Sequence, residues 1–372
     1  MRLQVPRDRL VSAISAVERA VSVRDTLPLL AGIRLRATTG QLQLNATDLE
    51  LSLETTIPAQ VEEPGDVVLE ARLLSQVIRR FPPGEVQLSH AQDEGQVDLV
   101  CGSSHLSMRF QPGDDFPSLT APEEPVKWSV KRKVFQEMIR RTIFAVSNDP
   151  SRPFLTGILV EAAADELRLV ATDGNRLSLA RHPWEEEESA PAQEMAVIVP
   201  ARAMAELGRS PADEPAELIS VEMDRRQSVF SWGGFCLTTR LVEGQFPLYR
   251  QAMPLNQRLS VVLPREPLLA AVERAALVSR TGPAFVVLQL ESGLLRLTAQ
   301  EADVGKVVEE LAINYTDNPF QTAYQARFLS DVLKALTSEN VVLGLDSALS
   351  PGTLRPEEDN SYLCVMMPVR TS

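Results

Sequence analysis

The strongest constraint on the fold is one arrangement of residues that occurs three times. An alternating strand, a short polar break and a second alternating strand are found at residues 41–53, 166–179 and 294–308. A second marker, the dipeptide Ala-Arg at the start of a helical pattern, begins at Ala71, Ala201 and Ala326. Alternation at period two is typical of half-buried strands. The repeat length is close to one third of the 372 residues, so the sequence predicts three similar domains rather than a solenoid.

Each third has the predicted order strand, helix, three strands, and then the same order again. Further helical patterns begin near Pro6, Lys131 and Pro264. This order predicts an α+β fold in which each domain packs two helices on one face of antiparallel sheets. A segment with three prolines at 117–125 and a less distinct one at 248–258 indicate the boundaries. The predicted domains are residues 1–125, 126–254 and 255–372.

The net charge of −13 argues against a nucleic-acid partner when it is taken alone. The distribution of charge reverses that argument, because all six predicted helices carry a net positive charge. In the segment 131–146, Phe135, Met138 and Ile139 fall on one side, whereas Lys133, Arg140 and Arg141 fall on the other. Ordinary solvated helix faces explain any one such helix, but six in so acidic a chain favour DNA contact along the helices. Without a base-reading motif, such contact is independent of sequence.

Other features exclude several classes of protein. No apolar run is long enough to span a membrane, and the N-terminus lacks a secretory signal, so we expect a cytoplasmic protein. The three cysteines, Cys101, Cys236 and Cys364, form no Cys-x-x-Cys pair and are predicted to be small buried hydrophobic residues.

An enzyme with Asp48 and Asp173 in a repeated acidic site is the main alternative function. Each aspartate follows a strand, where catalytic acids are often found. However, the sequence has no phosphate-binding glycine loop and no histidine cluster with metal-ligand spacing. An aspartate in a strand-to-strand turn usually accepts hydrogen bonds from its own backbone. We therefore predict no catalytic residue, no metal site and no cofactor.

Four segments in this order resemble the bacterial sliding clamp family, the β subunit of DNA polymerase III. They are Thr-Leu-Pro-Leu-Leu at 26–30, Ala-Thr-Asp-Gly-Asn-Arg-Leu at 171–177, Leu-Val-Glu-Gly-Gln-Phe-Pro at 241–247 and Met-Met-Pro-Val-Arg at 366–370. The resemblance implies a non-catalytic processivity factor, in which two chains associate head to tail as a pseudo-six-fold ring around duplex DNA. A monomeric three-domain adaptor is a further alternative, and it predicts a species of 41.0 kDa instead of twice that mass.

The resemblance also implies partners and site residues. The expected partners are double-stranded DNA, a second copy of the chain, and short linear motifs of the DNA polymerase III alpha subunit, the clamp loader, other DNA polymerases and repair proteins. Arg24 matches a DNA-contacting position of the family. The helix-face argument adds Arg72, Arg79, Arg80, Lys133, Arg140, Arg141, Arg202 and Lys334.

The expected peptide groove and dimer contacts also follow from the resemblance. The groove residues are Leu155, Thr172, Gly174, Asn175, Arg176, Leu177, Pro247, Val365, Met366 and Met367. Arg176 is expected to form a polar rim. Some family members carry His where this chain has Asn175, and an aromatic pair that touches DNA in part of the family is replaced here by Pro153-Phe154. The expected dimer contacts are Leu106 and Met108 on one edge, and Leu277 and Val278 on the other.

Overall fold

The structure is a computed structural model that describes residues 1–22, 27–90, 95–209, 218–254, 257–279 and 282–370. In this part of the chain each third contains two copies of one unit, a strand followed by a helix and three strands. The first third has one additional strand, β5, between the two units. The predicted order of elements is therefore confirmed.

The elements of the first third are β1 (Arg2–Pro6), α1 (Arg7–Val17), β2 (Gly32–Thr38), β3 (Gln41–Thr47), β4 (Leu51–Pro58), β5 (Gln60–Glu63), β6 (Gly65–Glu70), α2 (Ala71–Ile78), β7 (Glu85–His90), β8 (Gln96–Cys101) and β9 (Ser104–Pro112). Those of the second are β10 (Val126–Lys131), α3 (Arg132–Thr142), β11 (Gly157–Ala162), β12 (Glu166–Thr172), β13 (Arg176–Pro183), β14 (Met195–Pro200), α4 (Ala201–Gly208), β15 (Leu218–Met223), β16 (Gln227–Trp232) and β17 (Phe235–Arg240).

The elements of the last third are β18 (Leu259–Pro264), α5 (Arg265–Ala276), β19 (Phe285–Glu291), β20 (Leu294–Glu301), β21 (Gly305–Ala312), β22 (Phe320–Gln325), α6 (Ala326–Ala335), β23 (Asn340–Leu345), β24 (Gly352–Pro356) and β25 (Tyr362–Met366). None of the described helices is long and apolar enough to cross a membrane.

The sheets are shared between neighbouring thirds. Strands β10 and β15–β17 of the central third continue the sheet of the first third through the pair β17–β4. Strands β11–β14 of the same third join β25 of the last third through β13. The chain consequently divides into two compact units, residues 1–132 with 209–241 and residues 133–208 with 242–372. Sequence periodicity shows three repeats, but it does not show that the middle repeat is divided between two sheets.

The core follows directly from the alternation in sequence. In β3 the apolar residues Leu42, Leu44 and Ala46 are completely buried, while the polar residues between them are only partly buried or exposed. Helix α2 begins where the Glu70 carboxylate accepts hydrogen bonds from the N–H groups of Arg72 and Leu73, which satisfies two donors that have no partner within the helix. Cys101 and Cys364 are buried as predicted, whereas Cys236 is only partly buried.

Candidate functional site

A cavity of about 490 Å³ opens in the second unit beside the β12–β13 hairpin. Seven of the predicted groove residues line it: Thr172, Gly174, Asn175, Arg176, Leu177, Val365 and Met367. The other three do not, because Leu155 and Met366 are buried in the core and Pro247 is an exposed residue that lies outside the lining.

Two loops complete the cavity, and the sequence did not identify either of them. One loop contributes Gln251, Ala252, Met253 and Pro254, and the loop between β23 and β24 contributes Asp346, Ser350 and Pro351. The sequence predicts only a domain boundary at the first loop, and the second loop lies about 100 residues further along the chain. Their prolines mark irregular backbone, but the local sequence does not place them beside the hairpin. The second loop is brought there by the pairing of β13 with β25 and of β24 with β25.

The hairpin turn is held by the side chain of Asp173, as predicted for an aspartate in this position. Its Oδ1 accepts hydrogen bonds from the N–H groups of Asn175, at 2.8 Å, and Arg176, at 3.0 Å. Thr172 donates its hydroxyl to the Arg176 carbonyl at 2.7 Å and accepts the Gly174 N–H at 3.1 Å. Asp48 forms the corresponding bonds to Glu50 and Leu51. These bonds give both aspartates a structural role, and no cluster of metal-ligating side chains is found among the described residues.

The prediction that Arg176 forms a polar rim is wrong. Its side chain is only 3% exposed, and it donates hydrogen bonds to Asp173 at 3.0 Å, to Asp331 at 2.7 Å and to the Phe144 carbonyl at 2.5 Å. The guanidinium also lies 4.8 Å from the ring centre of Phe328. These hydrogen bonds direct the buried guanidinium toward protein groups, so Arg176 supports the turn from behind and does not form an exposed rim.

An apolar cluster continues the wall of the cavity. Leu177 and Val365, which line the cavity, pack in one buried cluster with Phe246 and Tyr249, and Phe154 packs against its outside. Phe154 is one residue of the Pro153-Phe154 pair in which the chain departs from the family's aromatic pair. In this structure Phe154 is part of that apolar wall.

The C-terminal segment is fixed beside the cavity by backbone hydrogen bonds. The Met367 N–H donates to the Asn175 carbonyl and the Val369 N–H to the Ala323 carbonyl, both at 2.8 Å. The Met367 side chain is 44% exposed at the cavity wall. A flexible thioether at that position can repack around apolar side chains of different shapes. Thr371 and Ser372 lie outside the described residues.

Most of the predicted DNA-facing cations are exposed, and several of them pair with carboxylates of the same chain. Arg72, Arg80, Lys133 and Arg202 are exposed on helices α2 to α4 or directly after them. Arg79 is paired with Glu18, and Lys334 lies 2.8 Å from Glu273. Arg24 lies outside the described residues.

Arg141 is engaged in the protein more than the helical wheel indicates. Its guanidinium is 2.7 Å from both Glu137 and Asp359, and its side chain is only 16% exposed. Burial alone lowers the pKa of Arg141, but the two carboxylates outweigh burial and raise the pKa. Arg140 also binds Glu137, at 2.5 Å. The side of α3 predicted to be basic is therefore partly neutralised, because Glu137 precedes both arginines by one helical turn.

The four predicted dimer residues lie beside exposed strand edges or helix ends. Leu277, directly after α5, is 79% exposed, whereas Val278 and Met108 are buried and Leu106 is half-buried. Among the residues that the structure describes, β9 from Ser104 to Arg109 pairs only with β8, and β21 pairs only with β20. An unpaired edge is a template for adding a strand from another chain.

Comparison with known proteins agrees with the family resemblance and extends over almost the entire chain. Three family models of the DNA polymerase III beta subunit match: the N-terminal domain at residues 1–120, the central domain at 129–248 and the C-terminal domain at 250–370. The chain belongs to this family.

Relatives of the beta subunit family match along their whole length. A beta sliding clamp from Synechococcus elongatus is 33% identical, with 100% of this chain and 99% of that protein covered. The crystal structure of a sliding clamp from Bartonella birtlesii with bound griselimycin superposes with a TM-score of 0.92 at 30% identity, and a Pseudomonas aeruginosa clamp with the same ligand gives 0.94 at 27%. Both structures cover 100% of each chain. The predicted fold class is therefore confirmed, and the family is the non-catalytic beta subunit.

Proposed function

We propose that the chain forms a dimeric ring around duplex DNA and holds DNA polymerase on its template without catalysing a reaction. The family assignment over three consecutive domains carries this proposal. Free strand edges, basic helix faces and an apolar cavity are the three features that such a function needs.

The strand edges support a head-to-tail dimer. Inside the chain, the last strand of one repeat twice pairs with the fourth strand of the preceding repeat, as in β17–β4 and β25–β13. The same rule leaves β9 of the first repeat and β21 of the last repeat without such a partner. A second copy supplies both missing partners, so two chains satisfy both edges and close the assembly.

The helix faces support DNA binding without sequence specificity. Arg72, Arg80, Lys133 and Arg202 present exposed cations in a chain of net charge −13. Cations on helices attract the phosphate backbone, while the acidic remainder of the surface repels it. Phosphate contacts position a protein on DNA and carry no sequence information, so the ring can slide.

The cavity supports binding of short peptide motifs from partners. It has an apolar wall from Leu177, Val365 and Met367, and its volume of about 490 Å³ is in the range of small-ligand sites. The buried Arg176 guanidinium keeps the turn rigid, so the pocket is formed before a peptide arrives and little ordering entropy opposes binding. We propose that the DNA polymerase III alpha subunit, the clamp loader and repair proteins bind here through linear motifs.

Retention on circular and linear DNA tests the whole proposal. The protein is loaded on nicked circular DNA with a matched clamp loader and ATP, and half of the sample is then linearised. We expect retention on circles and loss from linear ends, because a ring is held by topology. Equal retention on both forms would show ordinary electrostatic binding and contradict the ring.

A variant of the exposed Leu277 provides a control for ring closure. Leu277→Lys changes a side chain that is 79% exposed, so the fold should persist while the apolar dimer contact is lost. We expect this variant to sediment near 41.0 kDa and not to be retained on circles. Retention by a monomeric variant would mean that something other than closure holds the DNA.

A further inference from the structure

The two strand junctions inside the chain share one register, and this register can be transferred to the edges that remain free. In the first junction Leu237 lies opposite Leu53, and in the second Cys364 lies opposite Ser178. Leu53 and Ser178 occupy equivalent positions, since each pairs with the alanine two residues before the turn aspartate, Ala46 or Ala171.

The equivalent residues on the free edges follow from the same pairings. In the last repeat Ala299, two residues before Glu301, pairs with Val307. In the first repeat Leu106 is the third residue of β9 after a two-residue hairpin turn, as Leu237 is in β17. Val307 of one chain is therefore placed opposite Leu106 of the other. One step along the antiparallel ladder, Lys306 is placed opposite Ser107.

Ser107 stands between Lys306 and an acidic residue. Asp98 lies directly opposite Ser107 on β8 and accepts hydrogen bonds from Ser107 and from His105, the latter at 3.1 Å. Side chains directly opposite one another in a sheet share a face. The Asp98 and Lys306 backbones are separated by two strand spacings of about 4.8 Å each. Because the serine between them is small, a lysine side chain can reach across it to the carboxylate.

The other charges on β21 are already engaged on their own chain. Glu309 pairs with Arg274 at 2.6 Å and Glu310 with Arg296 at 3.0 Å. Lys306 is the only cation in this strand, it is exposed, and the structure shows no ion pair for it within the described residues. The hydrogen bond from Ser107 and the proximity of His105 outweigh the effect of burial and lower the pKa of Asp98, so its carboxylate is ionised at neutral pH.

We propose that Lys306 of each protomer pairs with Asp98 of its neighbour across Ser107, and that this pair fixes the register and partner choice of the head-to-tail contact. The inference rests on the proposed dimer. An exposed ion pair contributes about 0.2–1 kcal/mol, which is up to about fivefold in affinity. A closed dimer contains the contact twice, so losing both pairs weakens it by up to about 25-fold.

Charge reversal in a mixture of two variants tests the pair. Asp98→Lys and Lys306→Asp are purified separately, and the dimer dissociation constant of each is measured by sedimentation on dilution. We expect each variant alone to dimerise more weakly than the wild type, by up to about 25-fold from the two lost pairs and further from the like charges that then face each other. In the equimolar mixture a mixed dimer has one wild-type contact and one reversed pair, so its affinity should return to within about threefold of wild type.

The control places the same charge change away from the contact. Glu62→Lys on strand β5 alters an exposed residue whose ion pair among the described residues is with exposed Arg2, and it should leave the dimer unchanged. Variants that dimerise like the wild type, or a mixture no tighter than its components, would overturn the pair while leaving the ring intact. A wild-type chain that stays at 41.0 kDa would overturn the ring as well.

Disulfide cross-linking tests the register independently of charge. Residues directly opposite in an antiparallel pair have Cα atoms about 4.5–5.5 Å apart, which a disulfide can join. Leu106→Cys combined with Val307→Cys should give a covalent dimer under mild oxidation. Leu106→Cys combined with Glu309→Cys, two residues out of register, should not. A reversed preference would show that the transferred register is wrong.

Discussion

The turn after β3 in the first repeat and the turn after β12 in the central repeat have the same hydrogen bonds but different surroundings. In both, a threonine and an aspartate accept the same backbone N–H groups, with Thr47 and Asp48 in one and Thr172 and Asp173 in the other. The residue three positions after the aspartate is Leu51 in the first repeat and Arg176 in the second. Of the two turns, the second lines the cavity of about 490 Å³. The two repeats therefore share the structure of the turn, and differences at a few positions, such as Leu51 and Arg176, distinguish the turn that lines the cavity.

The largest effect is expected when Arg176 is replaced by leucine, the residue at the equivalent position of the first repeat. Arg176→Leu removes the cation that pairs with the Asp173 and Asp331 carboxylates, which are 19% and 24% exposed, and leaves Asp331 with the longer contact to Arg327 at 3.4 Å. Removing one partner of a buried ion pair costs about 3–5 kcal/mol. We expect a loss of about 3 kcal/mol in the apparent free energy of urea unfolding, together with loss of peptide binding in fluorescence anisotropy.

The exposed Arg181 provides the matched control for this substitution. It donates one hydrogen bond to the Asn360 carbonyl, so Arg181→Leu should change stability by less than about 1 kcal/mol and leave peptide affinity unchanged. An Arg176→Leu protein as stable as this control would show that the buried guanidinium does not support the turn.

The middle residue of each turn gives a smaller test of the same comparison. Both residues have positive φ, +95° at Gly174 and +75° at Leu49, where side chains are strained. Gly174→Ala should lower stability by about 1 kcal/mol, because a Cβ there also approaches the Arg152 guanidinium to 3.3 Å. Leu49→Gly relieves strain but increases the entropy of the unfolded chain. We expect the melting temperature of Leu49→Gly to be nearly unchanged. Equal losses of stability in both variants would contradict this difference in strain between the two positions.

The contrast between the turns also separates what the sequence can predict from what it cannot. Strand alternation and the turn aspartates are local signals, so they predicted the hairpin and its hydrogen bonds. The burial of Arg176 depends on Asp331, which lies 155 residues away and has no sequence signal of its own. The loop that bears Pro351 likewise reaches the cavity through the pairing of β24 with β25. Contacts between residues that are far apart in the sequence determine these features, and the periodicity of a sequence contains no information about such contacts.

The smallest expected effect is the pH dependence of peptide affinity. Position 175 is Asn in this chain, whereas some family members have a titratable His there. The described cavity lining contains the charged residues Asp346 and Arg176 and no histidine, so nothing with an ordinary pKa between 6 and 8 lines it. The affinity of a capped apolar peptide without histidine should change by less than about twofold between pH 6 and pH 8.

Asn175→His supplies the contrasting variant. Burial of an imidazole against a bound peptide disfavours its charged form, so affinity should fall as the pH drops through about 6.5. A shift of half a pKa unit corresponds to about a threefold loss at pH 5.5, which anisotropy titrations at pH 5.5 and 8 can resolve. A wild-type protein that shows the same loss would place a titrating group in the pocket that the described residues do not contain.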